Sequence, residues 1–253
     1  MCTLVILRRP HHAWPLLIAA NRDEMLDRPW QPPARHWPDR RDIVAGRDEL
    51  AGGTWLGIND AGVSAAVLNR VGSLGPTTDK RSRGELVLDA LDHADAAAAA
   101  DALADLDGAA YRSFNLVIAD NRDAYWLRST GAAQVEVAPV PAGLSMITSG
   151  ELNDTDSPRI RNFLHRFRNA PTPDVDAGDW SAWESLLAAR LYDADEGPHE
   201  AMCIVTDHGY GTVSSSLISL PSPEHAEQGA VWRFAAGPPS DAAFGPVSAT
   251  NTA

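Results

Sequence analysis

The stretch Met1-Cys2-Thr3-Leu4-Val5-Ile6-Leu7-Arg8-Arg9-Pro10, continued by His11-His12-Ala13-Trp14-Pro15 and Leu16-Leu17-Ile18-Ala19-Ala20-Asn21-Arg22-Asp23-Glu24, decides how the chain is read. Thr3 to Arg8 is an apolar run, the Pro/His/Trp segment punctuates it, and Leu16 resumes it. Residues 3–8 and 16–21 therefore read as a β-hairpin. A turn centred between His11 and His12 pairs positions whose numbers sum to about 23, which sets Cys2 opposite Asn21 at roughly 5 Å between Cα atoms. The most polar tetrapeptide of the region, 21–24, is thereby delivered beside Cys2. Strand alternation puts Asn21 and Asp23 on one face and Arg22 and Glu24 on the other. Without a bulge, only one of these couples can face Cys2.

Cys2 carries the chemistry of this reading. Loss of Met1, which a small second residue permits, leaves a thiol and a free α-amino group on the same carbon. Their ordinary pKa values, about 8.5 and about 7.7–8.0, are close enough for the amine to take the thiol proton near neutral pH. A guanidinium at position 22 lowers the thiol pKa, and a carboxylate beside it can hold the α-amine. The competing reading is a small apolar residue near a terminus, with residues 21–24 a solvated loop after a strand.

The rest of the chain alternates strands with helix pairs. Residues 25–41 hold Pro29, Pro32, Pro33 and Pro38 with Trp30 and Trp37 and read as a loop. Residues 43–46 form a short strand, and Asn59-Asp60-Ala61-Gly62 turns a hairpin between 54–58 and 63–68. Ser82-Arg83-Gly84-Glu85 matches a capping box ahead of a helix through Leu86, Val87, Leu91 and Ala94, and an Ala-rich helix follows over 95–106. Strands are expected near 114–119, 124–128, 133–137 and 144–148, with Asn121-Arg122-Asp123 a turn. Ser157-Pro158 opens a helix whose Ile160, Phe163, Leu164 and Phe167 share a face. Asp179 caps another, with Trp183, Leu186, Leu187 and Leu191 inward. Residues 202–205, 211–218 and 231–234 complete the strands, and Cys203 reads as inert core. The last dozen residues read as a frayed tail, from about 240.

Composition excludes whole classes of function. The chain has 253 residues, 44% hydrophobic, enough for one large core in a single domain. With 21 Lys and Arg against 34 Asp and Glu, the net charge is −13, and no basic run offsets it, so nucleic acid and anionic bilayers are poor partners. Cys2 and Cys203 are the only cysteines. Neither a disulfide framework nor a metal site is indicated, and a reducing cytoplasm is the expected location. The apolar N-terminal run is broken after about six residues, too short for a signal or a transmembrane segment.

Cys2, Asn21-Arg22-Asp23-Glu24, Gly52-Gly53-Thr54-Trp55-Leu56-Gly57-Ile58, Ser82-Arg83-Gly84-Glu85-Leu86 and Phe114-Asn115-Leu116-Val117 together resemble the NRDE family, also called the transport and Golgi organisation protein 2 family. That family is similar in turn to N-terminal-nucleophile hydrolases of the choloylglycine hydrolase and penicillin V acylase type. The resemblance implies an α+β fold, a four-layer α-β-β-α sandwich of two antiparallel sheets. It implies Cys2, Arg22, Asp23 and Asn69 as catalytic residues, with Asn69 donating to an oxyanion. Asn21, Glu24, Ser149 and Asn153 are its substrate-binding candidates. There are departures. The related enzymes space the Arg and Asp three apart rather than adjacent, many relatives have an Arg where this chain has Val213, and related acylases have an Asn near Ser149, for which Asn153 can substitute. Two functions stay open: a cysteine amidohydrolase or acyltransferase on a small N-acyl or acyl-thioester substrate, without cofactor, or a non-catalytic haem or acyl-lipid binding and trafficking protein.

Overall fold

The computed structural model describes residues 2–75 and 77–248. Removal of Met1 and the end of the expected tail, 249–253, concern positions outside the described residues. In chain order the elements are β1 (Thr3–Arg8), β2 (Leu16–Met25), β3 (Trp30–Ala34), β4 (Ile43–Asp48), β5 (Leu56–Asn59), β6 (Ser64–Asn69), α1 (Gly84–Leu91), α2 (Ala96–Ala104), β7 (Phe114–Ala119), β8 (Ala124–Ser129), β9 (Glu136–Pro139), β10 (Gly143–Ile147), α3 (Pro158–Asn169), α4 (Ser181–Leu187), β11 (Tyr210–Leu220), β12 (Val231–Ala235) and β13 (Gly245–Pro246). They form two compact units. One holds residues 2–28 and 141–246, and the other holds residues 29–140, inserted in the sequence between those segments, together with 247–248.

The first unit is a sheet in the order β10-β1-β2-β11-β12-β13 with every observed pairing antiparallel. Odd-numbered residues of β1 and β2, among them Val5, Leu7, Leu17 and Ala19, pack with Met146 and Leu217 against Ile160, Phe163 and Phe167 of α3 and Trp183 and Leu187 of α4. Even-numbered Leu4, Ile6 and Ile18 are buried as well, which is why these strands read as unbroken apolar runs rather than as alternating ones. The hairpin pairs residues 3–8 with 16–21 as expected, but in a different register than the sequence implied: Thr3 pairs with Asn21 and Arg8 with Leu16, so paired numbers sum to 24. Arg9 N donates to Pro15 O, closing an odd-numbered loop that holds His11 at φ 70°, and the turn centre moves onto His12. One residue of loop parity shifts every partner by one.

The second unit is an antiparallel sheet in the order β3-β4-β5-β6-β7-β8-β9. Ile43, Ala45, Val63, Ala65, Leu116, Ile118 and Leu127 pack against Leu86, Val87, Leu91 and Ala99 of α1 and α2. The Pro-rich segment read as a loop supplies an edge strand. Pro32 and Pro33 of β3 lie where the β3–β4 register slips between Gln31 and Ala34, at the sheet edge, where an absent N–H costs no ladder bond. The capping box is not formed. Ser82 Oγ accepts from Gly84 N at 3.3 Å, while the Glu85 carboxylate takes Arg81 at 2.7 Å. Asp95 does cap α2, accepting from Ala98 N.

Two further expectations are corrected. Leu191 lies beyond the end of α4 and is exposed. Residues 240–246, read as the start of a tail, are fastened: Arg190 donates to Ser240 Oγ and pairs with Asp241 at 2.7 Å, and β13 pairs with β12.

Candidate active site

Cys2 stands at the head of β1, half-buried, with β2 on one side and β10 on the other. Its Sγ accepts from the Asp23 backbone N at 3.4 Å, and its S–H points to the Asp23 carbonyl at 3.6 Å. Continuing the observed registers outward from Thr3↔Asn21 and Leu4↔Ile147 sets Cys2 level with Arg22 on one neighbour and Ser149 on the other.

Side-chain parity then divides the tetrapeptide. Thr3, Asn21 and Asp23 face the helices. Asp23 is buried there, and its Oδ2 meets Arg159 Nη1 at 3.0 Å while Oδ1 accepts from Thr212 Oγ1 at 2.6 Å. Arg159 donates from the same Nη1 to Thr3 Oγ1 at 2.8 Å and from Nη2 to the His199 carbonyl. Thr212 Oγ1 also accepts from Ile204 N at 2.8 Å. A buried charge needs partners of this kind, and the carboxylate obtains them from α3 and β11. Asp23 thus presents its backbone to Cys2 and its side chain to a cationic clamp, so the clamp fixes the peptide on which the thiol rests.

Asn21 is taken up structurally. Its amide donates to Leu187 O at 3.0 Å and Met202 O at 2.8 Å and accepts from Ser215 Oγ, tying α4 and the 202–204 segment to β2. Asn153, at φ 59°, is likewise committed: Oδ1 accepts from Met146 N at 2.8 Å and Nδ2 donates to Ser145 Oγ, which clamps the loop after β10 onto that strand. That amide is held by β10 rather than offered to a ligand. Glu24 sits near the surface, bonded to Met25 N and 3.7 Å from Arg28. Arg22 is buried opposite Ser214, across a β-bulge formed at Val213. Asn69 closes β6 in the other unit, opposite Phe114.

The electrostatics differ from the sequence expectation. Burial pushes the Cys2 thiol above its ordinary pKa and the Asp23 carboxylate adds to that, outweighing the Asp23 N–H bond and the Arg22 charge, which act downward. The thiol form is favoured at rest. Tyr210, missed from sequence, donates from its hydroxyl to the same Asp23 carbonyl at 3.4 Å. Its pKa is pushed far up by burial first, then by Cys2 and Asp23, so it stays a neutral donor. Arg159 was also missed, although a signal existed. It lies four residues before Phe163 and eight before Phe167, on the stripe that α3 buries, where a charge demands a counter-ion.

The remaining motifs are scaffolding in the second unit. A Cβ on Gly53 would lie 2.5 Å from the Gly84 carbonyl carbon, so Gly53 and Gly84 are the close approach that joins their two segments, sealed by Thr54 N to Gly84 O. Asn115, buried in β7, accepts from Arg70 at 2.8 Å and Trp126 Nε1 at 3.1 Å.

Two antiparallel sheets with helices, and a cysteine at the head of a central strand, define an α+β fold of the N-terminal-nucleophile hydrolase kind, and solved structures of that kind match it. A Caenorhabditis elegans N-acylethanolamine-hydrolyzing acid amidase ortholog aligns over 89% of this chain and 96% of its own with a TM-score of 0.58 at 12% identity. A mutant conjugated bile acid hydrolase from Clostridium perfringens aligns over 99% and 97% with a TM-score of 0.51 at 11% identity. The family model described as Transport and Golgi organisation 2 matches residues 1–227, and the chain belongs to that family. The Homo sapiens transport and Golgi organization protein 2 homolog is 38% identical over 119 residues, and the Mus musculus one 37% over 117. Each match spans 43% of this chain and 40% of the relative's length. Among the described residues no helix is long and apolar enough to cross a membrane.

Proposed function

We propose that the protein is a cysteine N-terminal-nucleophile amidohydrolase or acyltransferase acting on a small N-acyl or acyl-thioester substrate. The observation that carries this reading is the seating of the Cys2 thiol on the Asp23 peptide, whose side chain is locked by Arg159 and Thr212. Such a thiol is oriented without being ionised, which suits a mechanism with its own base.

With Met1 removed, the neutral α-amine of Cys2 takes the thiol proton as sulfur attacks the carbonyl carbon. The C–S bond forms and the carbonyl electron pair moves to oxygen. The α-ammonium then gives the proton to the leaving nitrogen or sulfur, the scissile bond breaks, and a thioester remains. Water, or an acceptor amine, attacks the thioester with the α-amine again as base, releasing the product and restoring the thiol. Asp23 N–H steadies the developing thiolate, and Arg22 supplies positive charge. Burial that keeps the thiol protonated matches the need for an amine base.

The test is a panel of acyl amides and acyl thioesters, and separately haem, given to wild type and Cys2→Ala, with intact mass measured on untagged protein. Turnover and Cys2 acylation confined to the wild type, together with a mass lacking Met1, are expected. Saturable haem or acyl-lipid binding by both proteins, without acylation, would replace this reading with the non-catalytic one. Quantitative retention of Met1 would remove the base.

A further inference from the structure

The turn that leaves β6, residues 70–75, is held in place by its backbone. Arg112 donates to the carbonyls of Gly72 at 2.8 Å, Leu74 at 2.6 Å and Gly75 at 3.1 Å. Arg83 donates to Ser73 O at 2.9 Å and Ser73 Oγ at 2.8 Å, and Ser73 N closes the turn onto Arg70 O. Gly72 and Gly75, at φ 75° and 77°, supply the left-handed backbone this path requires. Ser73 is thereby buried, while Val71 is left 75% exposed and Leu74 54%. Single exposed apolar residues need no explanation, but two held outward on one pinned turn form a patch.

The same contacts concentrate positive charge on a chain whose net charge is −13. Carbonyl oxygens satisfy the donors of Arg112 and of Lys80, which bonds Ala109 O, without neutralising either cation. Arg81, by contrast, is paired with Glu85 at 2.7 Å.

The matching chemistry lies on the first unit, in Leu191-Tyr192-Asp193-Ala194-Asp195-Glu196. Leu191 is 60% exposed and Tyr192 46%, and three carboxylates follow directly. This turn is also built: Glu196 N and Gly197 N donate to Asp193 O, and α3 holds it through Arg161 to Glu196 at 3.0 Å and Asn162 to Asp193 at 3.1 Å. Asp195, in the middle, is exposed and has no hydrogen bond or ion pair among the described residues.

We propose that the 70–75 turn, with Lys80 and Arg112, docks the 191–196 turn of a second copy of this chain. Val71 and Leu74 cover Leu191 and Tyr192, and the cations face the carboxylates. The two surfaces differ, so the contact is head-to-tail: copies that make it reciprocally close a dimer, and copies that make it singly build a ring or a filament. Two acidic chains repel, but at physiological salt the Debye length of about 8 Å leaves the charges at the contact to decide. One turn on another is small beside the roughly 1,200–2,000 Å² of a stable interface, so association sets in at micromolar concentration or above.

Sedimentation velocity at about 0.15 M salt, from about 1 to about 300 μM protein, reads this directly. The wild type should sediment faster as concentration rises. Leu74→Asp should move the midpoint of association at least about tenfold upward, and Lys80→Glu and Asp195→Lys about fivefold each. Leu50→Asp, at an exposed apolar residue elsewhere in the second unit, should leave it unchanged. An equimolar mixture of Lys80→Glu and Asp195→Lys should return close to the wild-type midpoint, because the altered surface of each meets either its altered complement or a native pair. Either a closed dimer or longer assemblies with this pattern support the proposal. A chain that stays monomeric to the top of the range overturns it, as does association that Leu74→Asp and Asp195→Lys leave unchanged. A mixture no tighter than its components, or a loss in Leu50→Asp equal to that in Leu74→Asp, overturns it too.

Discussion

Replacing Arg159 with Met removes the cation from a buried pair while keeping the volume of the side chain. Both side chains are shielded from water, and their atoms meet at 3.0 Å. The carboxylate left behind would keep Thr212 but lose Arg159, and Thr3 Oγ1 and the His199 carbonyl would lose the guanidinium that donates to them. Removing one partner of such a pair costs about 3–5 kcal/mol. At roughly 2–4 °C per kcal/mol for a chain of this size, the melting midpoint should fall by about 10 °C. Because the Asp23 charge raises the thiol pKa and the variant takes a nearby cation from it, alkylation of Cys2 at pH 8 should slow. Arg159→Lys keeps the charge but cannot span Asp23, Thr3 and His199 together, so it should lie between wild type and Arg159→Met. Thermal unfolding followed by circular dichroism, with iodoacetamide kinetics on the same samples, gives both readouts. A loss below about 1 kcal/mol for Arg159→Met, the scale of an exposed pair, would refute the argument that this clamp holds the Asp23 peptide.

Further outcomes follow from the same geometry. Asn21→Ala should cost about 2–4 kcal/mol, measured by urea unfolding, because it strands the Leu187 and Met202 carbonyls in a buried site. Cys2→Ala should change stability by about 1 kcal/mol or less while abolishing acylation, read by intact mass. With the thiol and the Tyr210 phenol both raised on folding, the unfolded chain releases these protons first, so stability is full below about pH 8.5 and declines as pH rises through the alkaline range. Cys2→Ser and Tyr210→Phe should each flatten that alkaline decline in unfolding midpoints taken from pH 7 to 10.5, and an unchanged slope would remove the burial argument.

The parts of the fold set by local pattern were legible in the sequence. The β1–β2 hairpin, the helical stripe through Ile160, Phe163 and Phe167, and the Ala-rich helix after Asp95 follow from patterns within a few residues. The register did not follow, because one residue of loop length between Arg9 and Pro15 decides it and His11 absorbs the turn in a left-handed conformation. Cys2 and Asp23 were both identified, yet the mode of their meeting, backbone to thiol, is invisible to an argument from side-chain types. Arg159 on its buried stripe signals a counter-ion without naming it, and no local signal couples Arg159 or Thr212 to Asp23, 136 and 189 residues away. The glycines at 53 and 84 were legible as motifs, but only their contact shows that they serve packing.

The insertion of residues 29–140 between the two segments of the first unit sets an order of events for a chain made from its N-terminus. β1 and β2 emerge early, but β10, the second neighbour of β1, and β11, the second neighbour of β2, come more than a hundred residues later. At about 5–20 residues per second, the hairpin that carries Cys2 waits on the order of ten seconds for those edges to be covered. During that interval Asp23 has neither Arg159 nor Thr212, and the thiol has no fixed peptide to rest on. Cys2 is thus made well before Arg159 and Thr212 and is seated only when the last third has been synthesised, so truncated or stalled chains carry an unseated cysteine on an uncovered strand.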